Sequence, residues 1–295
     1  MFSIILPTLN NLNYLKICID SLKKNSKYNH QIIVHVNEGT DGTIEYLNLR
    51  NIEYSYTDKN IGMPKGLNIA SKKAKFDYIL ISHDDFYYCP GWDMEFEKQL
   101  KQIDHKKFYL SGTMVGAGQV KFNAGSTAET FDETKLIQNL EKIKTFDFQG
   151  TTKCPGLIHR DVWNILGGWS EEFSPTGADD TDFAMKLWKY DVRIFKGLGK
   201  SLVYHFGSIT TRKKDKSLFT YLGSRGNKIF LKKWGLTVNF FEKFYLNSGH
   251  DNQKNMICNV FDGPLNKPKK SLSYYLQLIK VKIMLFYLVI TKFKY

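Results

Sequence analysis

The first 85 residues alternate between two hydrophobic periods, and that alternation limits the fold more than any other feature of the chain. Short aliphatic or β-branched runs read as strands at Phe2–Pro7 (FSIILP), Gln31–Val36 (QIIVHV), Asn51–Tyr56 (NIEYSY) and Asp77–Ser82 (DYILIS). Segments with helical spacing lie between them. Asn13–Lys24 sets Leu15, Ile19 and Leu22 on one face, Asp41–Leu49 opens on an N-cap residue type, and Pro64–Ala74 begins with proline, which suits a first helical turn. Strands alternating with helices predict a parallel sheet covered on both faces. In such sheets ligands bind at the carboxyl ends of the strands.

The fourth strand runs straight into His83, Asp84 and Asp85 and is closed by aromatics and Pro90-Gly91. Adjacent carboxylates repel, so a metal ion, a cationic side chain or open water has to compensate them. Asn10 follows the first strand at the same end of the sheet. No G-x-G-x-x-G follows that strand and no Walker lysine loop occurs, which argues against dinucleotide and P-loop chemistry.

Beyond Ser111 the period is lost up to Gly150, in a stretch punctuated by Gly112, Gly116, Gly118 and Gly125. Arg160–Trp169 reads as a short helix ending at glycine. Asp179–Tyr190 reads as a helix with acids in its first turn, where the dipole favours them. Three acids within four positions there should push at least one pKa up by mutual repulsion. VRIFKG and SLVYHFG are strand-like. The tail from Lys267 to Tyr295 has no acid. Its longest apolar run, Ile283 to Ile290, is well short of the ~20 residues that span a bilayer. Leu272, Leu276, Ile279, Ile283, Phe286 and Ile290 nevertheless form one helical stripe flanked by Lys280 and Lys282. That stripe suits either packing on the domain or a partner, or an interfacial membrane helix.

A net charge of +13 favours anionic partners. Without zinc-finger or RNP motifs, phosphate-bearing substrates and anionic membrane rank ahead of nucleic acid. Cys18, Cys89, Cys154 and Cys258 form no C-x-x-C pair, and the first residues enter a strand rather than a signal peptide. Reduced thiols and a cytoplasmic location, peripheral at a membrane, are expected.

Taken in order, SIILPTLNNLNYLKICIDSL, QIIVHVNEGTDGTIEYL, DKNIGMPKGLNIA, YILISHDDFYYCPGW, GGWSEEFSPTGADDTDFAMKLW and VYHFGS resemble the family-two inverting, nucleotide-sugar-dependent glycosyltransferases of GT-A fold. The resemblance covers roughly Phe2 to Ser208. It implies an α/β fold with a Rossmann-like, mostly parallel sheet over residues 1–215, followed by a helical, basic extension over 216–295. It implies a nucleotide-diphosphate-sugar donor, a hydroxyl acceptor on a glycan, lipid-linked or other molecule, and Mn²⁺ or Mg²⁺ as cofactor. Asp85 and His205 take the metal-ligand places, and Asp84 lies nearer the ribose. His83 is placed beside the metal rather than on it. Asp180 takes the place of the general base in the E-D-x-D-like run, where Asp179 stands for the usual Glu; Asp179 and Asp182 also suit a role as helix-capping acids. Pro7, Thr8 and Asn10 line the nucleotide pocket. Asn37 or Glu38 meets the base, in a stretch where relatives often carry another acid, and Asn60, Gly62 and Lys65 close over the donor. The basic stretch Thr210–Lys216 that follows His205 suits either a lid that neutralises the diphosphate or a solvated loop. A sugar-phosphate nucleotidyltransferase would want a glycine-rich basic loop where PTLNNLN stands, and a non-catalytic sugar binder would not need Asp84, Asp85 and Asp180 together.

Overall fold

The computed structural model describes residues 1–207, 224–248, 256 and 258–291. Its first half follows the alternation: β1 (Ser3–Leu9), α1 (Leu12–Asn25), β2 (Gln31–Asn37), α2 (Thr43–Leu49), β3 (Glu53–Thr57), α3 (Met63–Ser71) and β4 (Tyr78–Ile81). β1 pairs in parallel with β2 and β4, and β2 with β3. Ile4, Ile5 and Leu6 are consecutive and all fully buried, as a strand covered on both faces requires. α1 supplies part of that cover with Leu15, Cys18, Ile19 and Leu22, one stripe at helical spacing. Asp41 does not cap α2 directly. Gly42 holds the cap position, and Asp41 accepts from the Thr43 and Leu12 amides.

The chain continues through β5 (Phe86–Tyr88), α4 (Trp92–Leu100), β6 (Phe108–Gly116), α5 (Glu133–Asn139), β7 (Phe148–Gln149), β8 (Gly156–His159), α6 (Arg160–Leu166), α7 (Asp179–Lys189) and β9 (Ile194–His205). The sheet order is β3-β2-β1-β4-β8-β6-β9-β5, with β7 also on β9. β8 lies antiparallel between β4 and β6, β5 and β7 are antiparallel to β9, and β6 and β9 are parallel. The parallel character therefore holds for the first half, and the second half is mixed. VRIFKG and SLVYHFG belong to one strand, β9, whose pairing with β6 shifts register between Ser111 and Thr113. A side chain at Gly197 would place Cβ 2.0 Å from the Phe148 ring, so glycine there lets β7 lie against β9.

α8 (Arg225–Trp234) and α9 (Val238–Phe244) add Ile229, Phe230 and Phe241 to the main core. α10 (Leu272–Ile290) packs on them through Tyr274, Val281 and Leu288. The expected boundary between 215 and 216 and the basic stretch Thr210–Lys216 lie outside the described residues. Trp92, Trp163, Trp169 and Phe173, which composition alone leaves free to stack on sugars, are all core.

α8 is tied to α7 by charge. Asp182 on α7 is fully buried, accepts from Trp234 Nε1 at 2.7 Å and pairs with Lys233 Nζ at 3.0 Å. Lys233 also reaches Glu172 at 2.7 Å. Removing one partner of a buried pair costs about 3–5 kcal/mol, because the other charge is stranded. Lys233→Met should therefore lose about 3 kcal/mol, the lower end, since Lys233 is partly exposed. Urea denaturation measures it, and adding Asp182→Asn to the same chain should restore part of the loss.

Candidate active site

β1, β2 and β4 end at one edge of the sheet, and a cavity of about 340 Å³ opens there. Pro7 and Thr8 of β1 and Asn37 of β2 form its floor, with Asn11 beside them. Asn60, Gly62 and Met63 form one wall, His83, Asp84 and Asp85 another, and Pro175 and Thr176 a third. The Pro175 wall is docked on the turn before α3: Met63 N donates to Pro175 O at 2.9 Å, and a Cβ on Gly62 would lie 2.6 Å from Pro175 Cα. Gly62 also has φ +84°, so glycine is required twice over at this position.

Strand register places the acids. Ile5 stands opposite Ile81, and continuing three residues brings Thr8 level with Asp84, whose Oδ2 accepts from Thr8 Oγ1 at 2.7 Å. Phe86 stands opposite His205 in the β5–β9 pair, so Asp85 Oδ2 lies 3.3 Å from His205 Nε2. The two neighbouring carboxyls thus face different partners and titrate in opposite directions. Burial, then the charge of Asp85, pushes Asp84 up to about 7. Burial pushes Asp85 up too, but the hydrogen bond and charge of His205 outweigh it and hold Asp85 below the usual carboxylate range.

His83 Nδ1 lies 3.9 Å from Asp85 Oδ1, and its ring stacks on Phe86 at 5.0 Å. Burial lowers the His83 pKa to about 4, so the ring is neutral. One donor atom each from His83, Asp85 and His205 lies within 4.8 Å of the others. His205 Nδ1 is 2.6 Å from Ala117 O, and a carbonyl only accepts, so Nδ1 carries hydrogen and Nε2 faces Asp85. Nε2 against a carboxylate is attractive only with a proton or a cation between them. The donor set therefore fits a divalent ion, with the Ala117 carbonyl fixing the ligand's orientation from behind.

The second acid pair opens α7. Asp180 Oδ2 accepts from Lys153 Nζ in a very short contact, and its Oδ1 accepts from Thr181 N at 2.7 Å. Burial raises Asp180, but the Lys153 charge and hydrogen bond outweigh it and hold the carboxyl low. The acid that crowding raises is instead Asp179, pushed up to about 6 by burial and by the Asp180 charge. Asp179 accepts from Thr176 Oγ1 at 3.0 Å and from Gly177 N at 3.2 Å, which folds the cavity-lining loop. Asp182 does not cap the helix. Ala178 holds the cap position, and Asp182 is the buried partner of α8.

The remaining expected residues fall around this frame. Asn37 is spent on backbone, donating to Thr8 O and accepting from Ile61 N. Asn10 donates to Glu38 Oε2 at 3.1 Å and accepts from Thr40 N, so both are tied to each other beside the cavity. Lys65 sits in the first turn of α3, off the cavity wall. Asn11, Met63, Lys153, Pro175 and Thr176 carry no sequence signal for the site. Each arrives through contacts between distant segments.

The sequence profile of Glycosyl transferase family 2 matches residues 3–156, just over half of the chain. This chain belongs to glycosyl transferase family 2. An uncharacterized glycosyltransferase of Rickettsia felis is 36% identical over 120 residues, 38% of this chain and 19% of that protein. The uncharacterized glycosyltransferase RT0329 of Rickettsia typhi is 38% identical over 96 residues, 30% of this chain and 28% of that protein. The matches thus span under a third of these relatives' lengths. Among solved structures, Staphylococcus aureus TarS 1–349 in complex with UDP-GlcNAc superposes with a TM-score of 0.54 at 16% identity, covering 82% of this chain and 65% of that one. GalNAc-T7 with UDP, GalNAc and Mn²⁺ gives 0.53 at 14% identity, covering 70% and 43%. These likenesses establish the expected GT-A-type fold for the family-2 chain.

The Asp84 shift has a measurable consequence. The folded state holds that proton more tightly than the unfolded one, so the contribution of Asp84 to stability is lost as pH rises from about 4 to about 7 and levels off above. In metal-free buffer, the melting temperature of Asp84→Asn should rise relative to that of the unmodified protein between pH 4 and pH 7 and stay above it at pH 8, as read by circular dichroism. Asp179 acts in the same direction as Asp84, while His35 and His83, each lowered to about 4 by burial, act in the opposite one.

Proposed function

We propose that this family-2 chain transfers a sugar, with inversion, from a nucleotide-diphosphate-sugar to an acceptor hydroxyl, with the donor in the cavity and Asp180 as general base. One observation carries the reading: Asp84 and Asp85 line the cavity at the carboxyl edge of the sheet, and the second acid pair lies just behind its Thr176 wall, close enough that Asp180 and Lys153 both act on His83. The UDP-GlcNAc bound by TarS and the UDP and Mn²⁺ bound by GalNAc-T7 make nucleotide-sugars the donor class to test. Asp84 serves the ribose, while Asn60 and Gly62 close over the donor. Asp85 and His205 hold Mn²⁺ or Mg²⁺, which when bound offsets the charge of the leaving diphosphate.

Asp180 takes the acceptor's proton as its oxygen bonds to the anomeric carbon and the bond to the diphosphate breaks on the opposite side. Each carboxylate oxygen has about two lone-pair sites, so Oδ2 can accept that hydroxyl while still holding Lys153. Lys153 keeps Asp180 ionised, and Asp179 holds the Thr176 loop. Losing general-base help typically costs ~10²–10⁴-fold in rate. Asp180→Asn should lose that much turnover against a panel of nucleotide-sugars, with donor-induced thermal shifts almost unchanged. Asp179→Asn should be milder, and the assignment fails if that order is reversed.

α10 supplies the partner surface. The helix has 19 residues, enough by length and composition to cross a membrane, yet Tyr274, Val281 and Leu288 pack it against the protein. Leu272, Ile279, Ile283, Phe286 and Ile290 lie exposed on the opposite side. Lys280 and Lys282, both exposed, stand about 80° to either side of that stripe's centre. Apolar residues flanked by snorkelling lysines, just after Lys267, Lys269 and Lys270, suit the interface of an anionic membrane, near a lipid-linked acceptor. Full-length protein should sediment with phosphatidylglycerol-containing vesicles at low salt and less with phosphatidylcholine alone. A chain ending at residue 271 should stay in solution and keep donor hydrolysis. If the full chain does not sediment at low salt, the stripe is a protein contact.

A further inference from the structure

We infer that His83 is a third direct metal ligand, completing with Asp85 and His205 a two-imidazole, one-carboxylate set that selects Mn²⁺ over Mg²⁺. The inference rests on the donor-metal reading above, but the family resemblance places His83 beside the metal and not on it. Geometry is the first argument. Donor atoms about 2.1 Å from one ion are at most about 4.2 Å apart. His83 Nδ1 and His205 Nε2 lie 3.9 and 3.3 Å from the two oxygens of Asp85.

Hydrogen bonding is the second. The 3.9 Å separation is too long for a hydrogen bond to Asp85. Among the described residues, neither ring nitrogen of His83 has a hydrogen-bond partner, although the ring is two-thirds covered. A largely covered imidazole, aimed at a carboxylate without bonding to it, is what a metal ligand looks like before the metal. Asp84 does not compete for the place, because Thr8 holds its Oδ2.

Support from the fold is the third. His83 stacks on Phe86, and Phe86 stands opposite His205 in the β5–β9 pair, so both imidazoles are fixed to the same strand pair. Mg²⁺ takes oxygen ligands in a demanding octahedron and keeps its waters. Imidazole donors instead raise affinity along the transition-metal series, so two nitrogens at one site favour Mn²⁺ over Mg²⁺.

Electron spin-echo spectroscopy of Mn²⁺ bound to the full chain counts directly coordinated nitrogens. Two are expected in the unmodified protein, one in His83→Asn and one in His205→Asn. Titration calorimetry should show His83→Asn losing Mn²⁺ affinity by ~100-fold or more, because outer-shell partners alone are worth roughly 10–100-fold. Its Mg²⁺ affinity should stay about the same. One nitrogen in the unmodified protein, or two in His83→Asn, overturns the inference. If Asp85→Ala then abolishes Mn²⁺ binding, the donor-metal reading stands without His83. If the unmodified protein binds no Mn²⁺, both fall.

Discussion

The site depends on the pairing of two strand ends, Phe86 with His205. β5 is only three residues long, yet it is fixed from several sides. Ser21 accepts from Tyr88 N, Asn25 donates to Tyr88 O, Tyr88 Oη donates to Ser82, and the Tyr88 ring packs on Trp92 at 4.6 Å. That over-determination sets where Asp85 can point. The turn from β4 into β5 sends Asp84 toward β1 and Asp85 toward β9, so two adjacent carboxyls meet different environments. The repulsion that makes the sequence look costly is thereby shared between a hydroxyl donor on one side and imidazoles on the other.

The same logic governs the second acid run. Asp180 has Lys153, Asp182 has Lys233 and Trp234, and Asp179 has only neutral donors. Burial and the charge of Asp180 push Asp179 up. α7 is thus held at its start by the β8 side of the sheet and at its next turn by α8. The two lysines lie far apart in sequence, and each neutralises one acid of a run that would otherwise repel itself.

Much of this is legible in the amino-acid sequence, because its causes are local. The four strands up to Ile81 and the helices between them follow from periods written in consecutive residues. The site acids at the end of β4 follow from where a hydrophobic run stops. What the sequence hides depends on long-range pairing. Nothing around Lys153 marks it as the partner of Asp180, since the contact exists only because β8 inserts antiparallel between β4 and β6. His83 reads as a neighbour of the acids until the stack on Phe86 and the missing hydrogen bonds are seen. VRIFKG and SLVYHFG read as separate strand-like runs, and only the pairing of Phe148 with Gly197 shows why glycine sits within the single strand β9. For α10, the stripe is legible, but the packed face opposite it is not, because Val281 and Leu288 look no different from the exposed residues.

The Lys153 contact bears on what kind of base Asp180 would be. A carboxyl held below the usual range is fully ionised at neutral pH, but it is also a weaker proton acceptor, and general bases work best with pKa near the operating pH. The reaction proposed here relaxes that demand. A free hydroxyl is a poor acid, so removing its proton before attack would need a strong base. An oxygen already bonding to an anomeric carbon becomes positively charged and strongly acidic, and then a weak carboxylate suffices. Permanent ionisation and correct placement count for more than basicity in such a step. The same short contact supplies both, since the ammonium that lowers the pKa also fixes the carboxylate's orientation. Asp179, raised toward neutrality and turned into its own loop, lacks both properties, which is why the assignment goes to Asp180.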